Sequence, residues 1–157
     1  TKGMVNRISR GLTAKTRQER KEIAAGLLLS PVLHTDWTNA KENGKNASVF
    51  VCAAPDGKAM YFARRKKGHE GVKGTPVEDY QGILVHDHEK TFYHYGTGHQ
   101  ECLAHVLRYL KASMENEGER SWNREMRTLM QEMIHYRNGL AVDAVPDPEK
   151  VKGSEER

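Results

Sequence analysis

Two aspartates directly follow apolar segments in this sequence, and their positions suggest metal-dependent chemistry. Asp36 closes the run at 32–35, and Asp87 closes the run at 83–86. If the two runs are neighbouring parallel strands, the carboxylates meet at one sheet edge, where α/β folds bind ligands. Because adjacent carboxylates repel unless they share a proton or hold a cation, a pair of Mg²⁺ or Mn²⁺ ions there would support in-line attack on a phosphodiester. The alternative is that both aspartates only cap the turns that follow them, as strand-end aspartates commonly do.

A group of histidines after the first aspartate provides a second candidate site. Five of the eight histidines lie close together in the sequence: His86, His88, His94, His99 and His105. In the pattern His99-x-x-Cys102-x-x-His105, His99 with Cys102, or Cys102 with His105, would share one face of a helix and could bind a zinc ion, whereas all three could do so only if the helix starts after His99. A zinc site needs a fourth ligand, which His88 or His94 would supply. The structural alternative places His99 near a helix start, Cys102 in the core, and His105 on the surface or beside Asp87.

The segments around these residues predict an α/β fold with a mixed sheet. Polar turns at 43–46 and 55–58 separate strand-forming runs, which favours an antiparallel hairpin beside the first strand. The fourth run is apolar on both faces and suits a buried, parallel strand. The predicted strands cover residues 32–36, 48–53, 60–63 and 83–87.

Capping signals and apolar stripes predict the helices that flank this sheet. A box at 97–100 begins one long helix, and Thr75-Pro76 begins a short one. The predicted helices cover residues 1–29, a short segment from 76, 97–117 and 121–137. We expect a basic helical arm at 1–30, a core at 31–140 and a flexible tail at 141–157.

Charge and composition narrow the classes of protein and partner. The 157 residues carry a net charge of +4, concentrated in two basic clusters that predict a polyanionic partner such as nucleic acid. The clusters contain Lys15, Arg17, Arg20 and Lys21, and Arg64, Arg65, Lys66 and Lys67. Solvated faces are the alternative. No apolar run reaches 18 residues and only two cysteines are present, so we expect a cytoplasmic protein without membrane spans or a disulfide framework.

Several spaced motifs together resemble the insertion-sequence-66 family of bacterial transposases. They are His34-Thr35-Asp36-x-Thr38, the segment 68–80, the segment 82–88, the segment 99–110 and the segment 134–138. The resemblance covers about residues 30–140 and implies a ribonuclease-H-like fold with a DDE-type site, in which two aspartates and a glutamate hold two Mg²⁺ or Mn²⁺ ions. Asp36 matches the first acid and Asp87 the second. Trp37 stands where other members often carry glutamate, so we expect an altered wall of the site.

The third acid departs from the family's pattern. In the family it lies far downstream, in an Asp-Asn-Asn segment with a nearby Glu-Arg, and Glu155-Glu156-Arg157 lacks that context. We therefore expect a truncated catalytic core whose third acid lies outside this chain, so that the chain alone is inactive in strand transfer. The resemblance further implies metal-dependent phosphodiester hydrolysis and strand transfer, with transposon ends and target DNA as partners and self-association on DNA.

The sequence is compatible with three functions. The first is a transposase core with Asp36 and Asp87 at its metal site. The second is a non-catalytic DNA-binding or assembly module that uses the basic clusters. The third is a small zinc-dependent protein built on His99, Cys102 and His105.

Overall fold

The computed structural model describes residues 2–118 and 120–156, and the chain divides into two compact units. The first unit ends at Cys102 and contains the whole sheet, and the second begins at Leu103 and is helical. This division does not test the expected boundaries at 30 and 140, which stay predictions. Among the described residues, no helix combines the length and apolar character that crossing a bilayer requires.

Within the described residues, five strands form one mixed sheet in the order β3-β2-β1-β4-β5. Their bounds are β1 Val32–Glu42, β2 Lys45–Ala53, β3 Ala59–Arg64, β4 Ile83–His86 and β5 Gly98–Glu101. The first three strands pair antiparallel, β4 runs parallel to β1, and β5 runs parallel to β4. The predicted α/β fold, with three antiparallel strands and a parallel fourth, is confirmed, and the structure adds a fifth strand.

The turn between β1 and β2 makes the first strand longer than predicted. Asn43 and Gly44 adopt positive φ angles of 50° and 78°, the left-handed geometry that suits a two-residue hairpin loop. Glu42 lies opposite Lys45, so pairing continues up to the loop. Asp36 is therefore an interior residue of β1, and its predicted place at a strand end is wrong.

In the part of the chain that the structure describes, six α-helices are present besides the sheet. They are α1 Lys2–Lys15, α2 Arg17–Leu29, α3 Gly68–Val72, α4 Leu103–Asn116, α5 Trp122–Asn138 and α6 Pro148–Glu155. The basic arm forms α1 and α2, and the short helix expected near residue 76 is a 3-10 helix at Pro76–Asp79. A second 3-10 helix, at Lys90–His94, was not predicted.

Two segments outside the predicted helices are helical. Residues 68–72 form α3, whose Gly71 and Val72 are buried. Residues expected to form a loop near the end of the chain contain α6, where the Asp147 carboxylate accepts a hydrogen bond from the Glu149 amide. Such a capped start is a local signal that sequence inspection overlooked.

The helix predicted to begin at Thr97 is wrong in its first turn. The segment is β5, which pairs with β4 from Gly98 opposite Ile83 to Glu101 opposite His86. The Thr97 hydroxyl donates to the Gln81 carbonyl at 2.8 Å rather than capping a helix. The backbone groups along β4 need partners, and β5 supplies them, so tertiary pairing overrides the local capping signal.

The core of the first unit lies between α2 and one face of the sheet. Inward residues alternate along β1, so that Leu33, Thr35 and Trp37 are buried, whereas Asp36 is on the opposite face. The hydrophobic core contains Leu27, Leu33, Trp37, Phe50, Cys52, Ala54, Val72, Val77, Tyr80, Leu84 and Phe92. Leu27 belongs to α2, so the second half of the basic arm is packed into this unit.

Replacing Gly71 by alanine tests this packing. A methyl group there would collide with the Trp37 ring and lie 2.5 Å from the Lys66 carbonyl oxygen. We expect Gly71→Ala to lower the free energy of unfolding by about 2–3 kcal/mol, as overpacking does, measured by chemical denaturation. Gly11→Ala is the matched control, because no atom lies within 4 Å of its added methyl. It should leave stability unchanged or raise it by up to about 1 kcal/mol; equal losses in both variants would contradict the packing.

Candidate active site

The parallel register of β1 and β4 sets the two aspartates side by side. The last residues that pair between the two strands are His34 and Val85. Two residues further along the chain from each, Asp36 and Asp87 lie opposite each other in the same register. Their carboxylate oxygens lie within 4.8 Å of one another, and both side chains are half-buried. The structure thus brings together the two predicted acids. They meet because β1 and β4 are in register, although β1 does not end at Asp36 as predicted.

Main-chain amides hold each carboxylate. The Trp37 amide donates to Asp36 Oδ1 at 2.7 Å. The Glu89 amide donates to Asp87 Oδ1 at 3.3 Å, so Asp87 also takes the capping role that was its alternative. An amide hydrogen bond leaves the charge on a carboxylate, and capping does not exclude a metal site.

The donor set fits a hard divalent cation. Mg²⁺ and Mn²⁺ prefer carboxylate oxygens, and Mg²⁺ binds them at about 2.1 Å, so one ion can join oxygens up to about 4.2 Å apart. The separation of Asp36 and Asp87 is close to that span. Within residues 2–102, no third carboxylate joins this pair at the same spacing.

His86 lies fully buried directly before Asp87. Its Nδ1 donates a hydrogen bond to the Asp87 main-chain carbonyl, and its Nε2 lies 3.3 Å from His99 Nδ1. Burial, with a smaller contribution from His86, lowers the pKa of His99. His86 was predicted only as a member of the histidine group and without a role of its own, although a histidine inside an apolar strand is a visible signal.

A polar cluster extends from this histidine pair along β5. Glu101 accepts hydrogen bonds from His88 and from the Tyr93 hydroxyl, the latter at 2.8 Å. The His88 bond, followed by the Tyr93 bond, lowers the pKa of Glu101, and the same carboxylate raises the pKa of Tyr93. Glu101 is thus paired with His88 and Tyr93, next to the pair of His86 and His99.

The helical zinc face predicted for the histidine motif is not formed. His99 belongs to β5, Cys102 follows that strand, and only His105 lies on a helix, α4 in the second unit. The steps of three therefore do not follow one helix. His99 lies opposite Leu84 in the β4–β5 pairing instead.

Trp37 lies beneath the site rather than on the wall of it. Its ring centroid is 4.7 Å from that of Phe50, which is 6.1 Å from that of Phe92. The Phe92 centroid is in turn 5.3 Å from that of His86. The residue after Asp36 and the residue before Asp87 are consequently joined by one aromatic layer, which we define as Trp37, Phe50, Phe92 and His86.

The basic residues predicted to bind DNA differ in their surroundings. The Arg64 guanidinium donates to the Gly71 and Lys73 carbonyls at 2.8 and 3.2 Å, so it holds α3 against the sheet. Arg65 pairs with Glu42 at 3.2 Å, and its side chain is 84% exposed. The remaining predicted residues are also exposed: Lys15, Arg17, Arg20, Lys21, Lys66 and Lys67.

Removing one charge of the aspartate pair tests whether the two carboxylates repel. Asparagine keeps the oxygen that accepts each amide bond but removes the charge. We expect Asp36→Asn and Asp87→Asn each to leave the metal-free chain as stable as wild type or up to about 1 kcal/mol more stable, because like charges in contact destabilise a fold. Chemical denaturation in chelator measures this. Losses above about 1 kcal/mol in both variants would contradict it.

The family described as Transposase IS66 family matches residues 2–157. No curated protein matches significantly. Among solved structures, the chain is similar to the intasome of simian T-cell lymphotropic virus in complex with the PP2A regulatory subunit B56 gamma (14% identity, TM-score 0.38, 74% of this chain and 45% of that one). It is also similar to the HTLV-2 integrase catalytic core domain in complex with magnesium, in dimeric form (14% identity, TM-score 0.32, 60% of this chain and 81% of that one). The chain thus spans less than half the length of the first of these.

Proposed function

Because the chain belongs to the IS66 family of transposases, we propose that it forms part of a DDE-type catalytic core. Asp36 and Asp87 are the first two acids of the proposed site. The observation that carries this proposal is the closeness of their carboxylate oxygens, which lie within 4.8 Å of one another where β1 and β4 run side by side. The proposed reaction is hydrolysis of a phosphodiester at a transposon end, followed by strand transfer to target DNA.

In this proposal, Asp36 and Asp87 hold Mg²⁺ or Mn²⁺, which supplies Lewis acidity and a water of lowered pKa when bound. The amides of Trp37 and Glu89 keep the two carboxylates oriented before the ion arrives. Positioning charged ligands in advance lowers the reorganisation that the reaction requires. The third acid of the family's pattern is proposed to lie outside this chain, so strand transfer by the chain alone is not expected.

A titration with Mn²⁺ tests the proposed metal site. We expect the wild-type chain to bind Mn²⁺ weakly and Asp87→Asn to lose that binding, because a single remaining carboxylate is a poor ligand set. Isothermal calorimetry measures both. Asp79→Asn is the matched control, since Asp79 lies in the Pro76–Asp79 helix away from the pair.

The outcomes separate the competing functions. Binding that Asp87→Asn loses and Asp79→Asn keeps supports the metal site. Binding that all three proteins share would place the ion elsewhere and contradict the site. DNA binding without any dependence on divalent ions would favour the alternative, a non-catalytic binding module.

DNA is the proposed partner, and the far end of the β1–β2 hairpin offers a surface for it. A groove of about 590 Å³ there is lined by Asn39, Ala40, Lys41, Asn46, Ala47, Ser48, Arg65 and Lys67. Lysine, arginine and amide side chains are the groups that contact phosphates. Asn39, the lining residue nearest to Asp36 in sequence, follows it by three residues on β1. Self-association on DNA is proposed from family membership alone.

Neutralising one lysine of this groove tests the DNA surface. We expect Lys67→Gln to weaken duplex binding equally for all sequences and to reduce the slope of log affinity against log salt by about 0.9, the value for one phosphate contact. Fluorescence anisotropy over a salt series measures this. Lys152→Gln is the control, because Lys152 lies on α6 and pairs with Glu156. Equal slopes in wild type and Lys67→Gln would remove the groove from the proposal.

A further inference from the structure

We propose that His86 is a positioning residue, which fixes the main chain of Asp87 and so aims the Asp87 carboxylate at Asp36. The proposal rests on the proposed metal site. His86 has no place in the DDE set. It acts through one hydrogen bond to its neighbour in the chain.

Two hydrogen bonds hold the peptide groups on either side of Asp87. The carbonyl before it, that of His86, accepts from the Cys102 amide at 2.7 Å. The carbonyl of Asp87 itself accepts from His86 Nδ1. The main chain at Asp87 is thereby held from the β5 side and from beneath, so its side chain leaves the backbone in one direction.

The imidazole can form this bond because its own orientation is fixed. The ring is fully buried, with its centroid 5.3 Å from that of Phe92 and 4.8 Å from that of Tyr93, which stands perpendicular to it. Because Nδ1 donates to the Asp87 main-chain carbonyl, Nδ1 carries the proton of the neutral ring, and Nε2 accepts from His99 Nδ1 at 3.3 Å. Each ring nitrogen therefore has one defined partner.

Packing alone does not explain why residue 86 is a histidine. Burying a polar ring among aromatic side chains costs free energy that a phenylalanine would not cost. The imidazole contributes a donor at Nδ1, and that donor goes to Asp87. The aromatic layer joins His86 through Phe92 and Phe50 to Trp37, whose amide orients Asp36. The same rigid layer thus supports both acids.

The test measures Mn²⁺ affinity and thermal stability of the whole chain for wild type, His86→Phe, His86→Asn and Asp87→Asn. We expect His86→Phe to bind Mn²⁺ about tenfold or more weakly, the usual effect of removing a partner of a metal ligand. His86→Asn should bind within about threefold of wild type, because its amide nitrogen takes the place of Nδ1. His88→Phe is the matched control: it lies equally close to Asp87 in sequence, but its ring pairs with Glu101.

Two results would overturn the inference. One is wild-type affinity in His86→Phe, and the other is affinity in His86→Asn as weak as in His86→Phe. If His86→Phe does not fold, His86→Gln replaces it, because its amide lies where Nε2 was. Affinity kept by His86→Gln and lost by His86→Asn would then contradict a role for Nδ1.

A measurement without metal separates this inference from the proposed function. Long-range proton–nitrogen correlation spectra of the imidazole report which ring nitrogen carries the proton. We expect the Nδ1–H form for His86 in the wild-type chain. The Nε2–H form would overturn the inference whatever the metal titration shows, whereas absence of Mn²⁺ binding alongside the Nδ1–H form would contradict the metal site alone.

Discussion

The register between β1 and β4 is the constraint on which the candidate site depends. Side chains alternate along a strand, so a slip of one residue would move Asp36 to the buried face and bring Thr35 out beside Asp87. The buried positions of Leu33 and Trp37 oppose such a slip, because both would lose their places in the core. The site is therefore held by apolar burial on the other face of the same strand.

The hairpin turn adds a second restraint on β1. Asn43-Gly44 closes a two-residue loop, and the pairing of β1 with β2 runs without interruption from Glu42 back to His34. Asp36 thus lies within a long antiparallel ladder and is fixed by main-chain hydrogen bonds along one side. Because β1 continues past Asp36, the polar residues at the end of the β1–β2 hairpin lie away from the acids, where they line the groove proposed to bind DNA.

Local signals predicted the elements that depend on local chemistry, and missed those that depend on pairing. The hairpins, the buried strand at β4 and the helix α5 were all visible in turn residues and apolar spacing. The strand β5 was not, because its sequence carries a capping pattern and only the unpaired edge of β4 selects the extended form. The meeting of Asp36 and Asp87 was predictable from two apolar runs, but the role of His86 was not, since no sequence pattern shows where a buried ring nitrogen points.

Because β4 is short, Asp87 needs the hydrogen bond from His86 Nδ1 to hold its main chain in place. Only three residues of β4 pair with β1, and Asp87 lies beyond the last of them, where the sheet no longer fixes the backbone. A residue just past a strand end is ordinarily free to vary its dihedral angles, and each degree of freedom weakens the alignment of a metal ligand. The bonds from Cys102 and His86 extend the order of the sheet by one residue. Asp36 needs no such support, because antiparallel pairing continues on both sides of it. The two acids are thus held by different means, one by the ladder and the other by a buried side chain.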